Sequence, residues 1–108
     1  MATNPGEAIT LRNHIATAEK AVNVTTIKKE EATNAAVLAA AAAARAEEAL
    51  NKADPKKSDY NDVAKAYNDA EARLSSAVEA ENKAWDDYAR AEADLSAAVD
   101  AAKAAYAI

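Results

Sequence analysis

The sequence predicts an all-α fold, an antiparallel two-helix hairpin of the alanine-rich coiled-coil type, on three observations. First, 34 of the 108 residues are alanine and only one, Gly6, is glycine. Chains rich in Ala, Glu, Lys, Leu and Arg with a heptad period form long helices and coiled coils. Second, after Pro5 the only helix breaker is Pro55, close to the midpoint. Third, residues 66–85 (AYNDAEARLSSAVEAENKAW) return as residues 87–106 (DYARAEADLSAAVDAAKAAY). The offset is about 21 residues, or three heptads, the signature of a helix packed lengthwise on another helix.

The elements follow in order. Asn4-Pro5-Gly6-Glu7 reads as a helix start, with Asn as cap, Pro at the first helical position and Glu in reach of the cap amide. The first helix is expected over about residues 5–53, because Pro55 drives the preceding Asp54 out of the α region. The turn takes about 54–58. Ser58 or Asp59 then caps a second helix over about 59–107, with Asp59 and Asp62 near its positive end. Two helices of about 48 residues, each ~72 Å long at 1.5 Å per residue, joined by a short turn, make residues 1–108 a single hairpin.

Heptad rows exist in both arms. In the second helix they are Tyr60, Tyr67, Leu74, Glu81, Tyr88, Leu95, Ala102 and, three residues on, Val63, Ala70, Ala77, Ala84, Ala91, Ala98, Ala105. In the first they are Ala8, Ile15, Val22, Lys29, Ala36, Ala43, Leu50 and Leu11, Ala18, Thr25, Ala32, Ala39, Ala46, Ala53. Folding about Pro55-Lys56-Lys57 sets Tyr67 against Ala46, Leu74 against Ala39, Tyr88 against Thr25 and Leu95 against Ala18, so large meets small in each layer. Lys29 and Glu81 fall in adjacent layers and are expected to pair as a register device.

Apolar residues remain outside this seam. Val78, Trp85, Val99 and Tyr106 form a flanking row at seven-residue spacing, and Ile9, Val24, Ile27, Val37 and Leu38 lie on the outer side of the first helix. Exposed stripes of this kind mark partners. Ile27, Leu38, Val78, Trp85, Val99 and Tyr106 are the expected interaction residues. The β-branched stretch from Val22 to Ile27 is a poor helix former, yet continuous helix is the expectation because tertiary context overrides propensity.

Catalytic chemistry finds little support. Without cysteine, disulfides, thiol catalysis and thiolate metal sites are excluded. His14 is alone, and one glycine builds neither a nucleophile elbow nor a phosphate loop. The pairs Glu30-Glu31, Glu47-Glu48 and Asp86-Asp87 read as solvated faces. Hence no enzyme, no cofactor and no metal are expected. The formal charge is −5, and most of the excess acid lies beyond Pro55. An acidic chain with no basic stripe is not expected to bind nucleic acid or anionic membrane. MATNPGEAIT lacks the regions of a secretory signal, and the longest apolar run, residues 35–44, is too short for a membrane span, so a soluble chain is expected.

Two resemblances bear on function. The helical hairpin with Tyr67-Asn-Asp-Ala-Glu71 and Tyr88-Ala-Arg-Ala-Glu92 resembles the small secreted hairpins of type VII secretion, whose export signal is Tyr-x-x-x-Asp/Glu. That resemblance implies a secreted helical-hairpin binding protein. The Trp-x-Gly turn of those proteins is replaced here by Ala53-Asp54-Pro55-Lys56-Lys57. Alanine-rich amphipathic helices also resemble desiccation-protection proteins, and small alanine-rich helical chains are common among phage virion components. The expected function is a non-enzymatic structural or interaction protein, a hairpin subunit of a larger assembly such as a phage capsid or tail. Its expected partners are itself, as a homo-oligomer, and other proteins of that assembly.

Overall fold

The computed structural model describes residues 5–106, which form two helices and a turn. Helix α1 runs Pro5–Lys52 over 48 residues, and helix α2 runs Tyr60–Tyr106 over 47. No strand occurs among the described residues. The helices pack against one another as an antiparallel hairpin. The expected cap at Asn4 lies outside the described residues. Pro5 takes the first described helical position, where its missing N–H costs nothing, and Glu7 sits in the first turn.

The turn is built by Asp54 and Pro55. Ala53 N–H donates to the Leu50 carbonyl at 3.2 Å, tightening the end of α1. Asp54 then accepts twice. Its carboxylate takes the Lys56 N–H at 3.0 Å and its carbonyl takes the Lys57 N–H at 3.0 Å. With Pro55 at the second position, this is a β-turn braced by an Asx turn. The Asp59 carbonyl accepts from Val63 N–H at 3.1 Å, so Asp59 holds the N-cap position of α2 and Asp62 lies in the first turn.

The packing divides into two compact units, each holding a stretch of both helices. The turn unit spans Glu30–Lys83. Its seam sets Ala32, Ala36, Ala39, Ala43, Ala46 and Leu50 of α1 with Tyr60, Val63, Tyr67, Ala70, Leu74 and Ala77 of α2, all withdrawn from solvent. Ala43, at 3% exposure, is the most buried of the core alanines. The terminal unit joins Met1–Lys29 to Ala84–Ile108. In it Ala8, Leu11, Ile15, Ala18, Val22 and Thr25 meet Ala84, Tyr88, Ala91, Leu95, Ala98 and Ala102. Every described position of the four heptad rows is buried or half-buried. Among the described residues the buried apolar ones are Ala18, Ala36, Ala43, Ala91 and Ala102, while the larger side chains of the rows are only half-buried.

The β-branched stretch stays helical. Thr25 Oγ1 donates to the Ala21 carbonyl at 2.7 Å and Thr26 Oγ1 to the Val22 carbonyl at 2.7 Å. These hydroxyls turn back on the preceding turn, satisfying their polarity on the helix itself.

Because Ala43 is only 3% exposed, Ala43→Leu should destabilise the chain by about 1–3 kcal/mol through overpacking. Ala42→Leu, on the exposed side of the same turn, should change stability by less than about 0.5 kcal/mol. Urea unfolding of the two variants measures the difference.

Candidate interaction surface

The seam uses two positions per heptad, and the adjoining positions decide what the hairpin shows to its surroundings. In the turn unit the outer side of α1 carries Val37 and Leu38, the latter 70% exposed, and α2 carries Val78 at the rim of the seam. The other outward positions of α2 in this unit mix polar residues, Asn68, Asp69, Ser75, Ser76, Glu79 and Asn82 among them, with the small Ala66, Ala72 and Ala80. The large exposed apolar residues of this unit are thus Val37 and Leu38 on α1 and Val78 on α2.

In the terminal unit Ile9, Val24 and Ile27 are exposed, Ile27 at 56%. Trp85 and Tyr106 are half-exposed, and Val99 is half-buried. The flanking row thus stands at the seam edge, contributing one side to the packing and offering the other to solvent. Heptad spacing puts these residues on one flank of each helix but does not apportion each side chain between core and solvent.

Lys29 has a partner that the sequence reading missed. Its Nζ lies 4.3 Å from the centre of the Trp85 ring and 3.9 Å from that of Tyr88. The two rings meet edge to face, 82° apart with centroids 6.4 Å from each other. A half-buried ammonium thereby gains two negative ring faces without a buried carboxylate. Lys29 belongs to the terminal unit and Glu81, half-buried in its own row, to the turn unit. Aromatic rings are what the geometry of the terminal unit gives Lys29. The signal was available: the folding register that opposes Thr25 to Tyr88 brings Lys29 beside Ala84, one residue from Trp85.

Both Tyr-x-x-x-Glu patterns act locally. Tyr88 is held protonated above the ordinary tyrosine value by a side-chain hydrogen bond to Glu92, helped by desolvation and the negative charge of Glu92. For Tyr67 the charge of Glu71 comes first, then desolvation, then the charge of Glu47 across the seam. The neighbouring charges are ordinary helix-surface pairs, Lys52 to Glu48 at 2.8 Å and Lys65 to Asp69 at 3.8 Å, both well solvated.

Small side chains also leave open grooves. One of about 500 Å³ in the terminal unit is bordered by His14, Ala18, Asp94, Ala98 and Ala101. Among the described residues no three His, Asp or Glu side chains gather as a metal site. No described helix is long and apolar enough to cross a membrane. No known protein family, characterised protein or solved structure matches the chain.

The folded chain holds the Tyr67 and Tyr88 protons more tightly than the unfolded chain does. Their contribution to stability is therefore present below the ordinary value of 10.0 and is lost as pH rises through the higher folded values. An ultraviolet phenolate titration should show both ionising late, and Glu92→Gln should bring Tyr88 back toward 10.0.

Proposed function

We propose that this chain is a non-enzymatic structural or interaction protein, a coiled-coil hairpin that serves as a subunit of a larger assembly, with a phage capsid or tail as its setting. One observation carries the reading: Ile27 and Leu38 stand more than half exposed on outer α1 positions where a solitary hairpin would place charge. A seam of alanine methyls supplies little transfer free energy, about 0.8 kcal/mol for each buried methylene-sized group. Further burial against a partner supplements what this core cannot provide. Val78, Trp85, Val99 and Tyr106, at the edge of the seam, extend the surface that a partner would cover.

The absence of cysteine, the solitary histidine and the solvated carboxylates support a role without catalysis. The acidic balance supports protein partners over nucleic acid. The phage setting draws on the composition alone. The alternative of a secreted hairpin draws on Tyr67/Glu71 and Tyr88/Glu92, and it is weakened because both pairs are accounted for as contacts within α2.

Light scattering on the purified chain should give a mass above that of one 11.3 kDa protomer, or should do so once an assembly partner is added. The triple variant Ile27→Gln, Leu38→Glu, Trp85→Ala should keep its helical circular dichroism while the mass falls or docking is lost. A wild-type monomer whose Trp85 stays open to quencher in every assembly tested would defeat the reading.

A further inference from the structure

The outer face of α1 in the turn unit specifies an occupant. Residues 35–44 read AAVLAAAAAA, nearly three helical turns without one polar side chain. The hairpin's own seam withdraws only Ala36, Ala39 and Ala43 of these, leaving the rest exposed. A helix that is apolar on every side belongs in an interior. α2 of the same unit has no such run, because Asn68, Asp69, Arg73, Ser75, Ser76 and Glu79 interrupt its exposed apolar residues, so the missing cover belongs on α1.

Surface area gives the scale. The chain exposes 7744 Å², against about 5,700 Å² expected for a folded monomer of 11.3 kDa. The excess, about 2,000 Å² per chain, is of the order buried in obligate dimers.

Charge chooses the occupant and its direction. Glu30 lies seven residues before Val37, and Arg45 lies seven after Leu38; all four are exposed on one stripe of α1. We infer that a second copy of this chain covers residues 34–45, its α1 running antiparallel across a twofold axis between Val37 and Leu38. In this pairing Val37 of each copy meets Leu38 of the other, and Glu30 of each meets Arg45 of the other. Such an interface is isologous and closes on itself as a dimer. The exposed methyls of Ala41 and Ala44 let the backbones approach. A parallel pairing would instead set Glu30 and Glu31 of both copies together and leave each arginine against the other, which like-charge repulsion disfavours.

This inference rests on the assembly reading and names its partner. The test uses the full chain, whose lack of cysteine makes each introduced thiol unique. Leu38→Cys should form a disulfide-linked dimer under mild oxidation. Glu30→Cys alone and Arg45→Cys alone should not, since residues paired with their own copies there stand about 22 Å apart along the axis. Mixing those two variants should give the crossed product. Leu38→Glu should weaken the dimer at least about tenfold with helix content unchanged. Arg45→Glu should weaken it, and adding Glu30→Arg should restore it. Self-crosslinking of Glu30→Cys would overturn the antiparallel pairing. An oligomer insensitive to Leu38→Glu but dissolved by Trp85→Ala would overturn the inference and leave the assembly reading standing. A wild-type monomer whose Leu38 no assembly protein protects would defeat both.

Discussion

The packing of two alanine-lined helix faces is the constraint on which the rest depends. Alanine at Ala18, Ala36, Ala43, Ala91 and Ala102 fills the buried positions, and the larger residues of the rows stand half-buried beside them. Alanine also favours the helices themselves, being the best helix former. It also limits how much apolar surface the hairpin withdraws from water. A core of methyl groups favours helices strongly and tertiary structure weakly, which leaves the chain dependent on what else covers it.

The thin core explains where the larger residues went. Trp85 and Tyr88 are too bulky for the narrowest part of such a seam, so Trp85 sits at the edge and its ring pairs edge to face with Tyr88. Lys29 lies at a seam position, where its ammonium meets both rings. The same economy appears at Thr25 and Thr26. Their hydroxyls bond to carbonyls of their own helix and so ask nothing of the partner helix.

Most of the fold was legible because period and punctuation coincide. Repeats at seven and 21 residues named the seam positions, and Pro55 named the turn; helix ends at Lys52 and Tyr60 fall within a residue of expectation. Less legible was the setting of individual side chains. Heptad spacing suggests a countercharge for Lys29 and does not show the ring faces of Trp85 and Tyr88 that its ammonium meets. Which fraction of Val78, Trp85, Val99 and Tyr106 stays in solvent depends on how closely the backbones approach, a quantity that heptad letters do not encode. For the interaction surface, sequence identified the outward apolar positions, Val37 and Leu38 among them, and the structure added how much of each faces solvent.

Sidedness is the property on which the proposed assembly role rests. In the turn unit one helix presents an unbroken run of alanine, valine and leucine outward, while on the other Asn68, Asp69, Ser75 and Glu79 interrupt the exposed alanines. A surface apolar all round would aggregate without limit, and one polar all round would remain a weak, solitary coiled coil. An apolar stripe bounded by Glu30 and Glu31 at one end and Arg45 at the other has a length, a direction and a complement. Association through such a stripe consumes the apolar face on both partners and leaves polar α2 outward, so growth stops or passes to a different surface. The terminal unit offers one, in Ile27 and the exposed edge of Trp85. The proposed assembly would thus have two separate apolar surfaces to use, one on each unit.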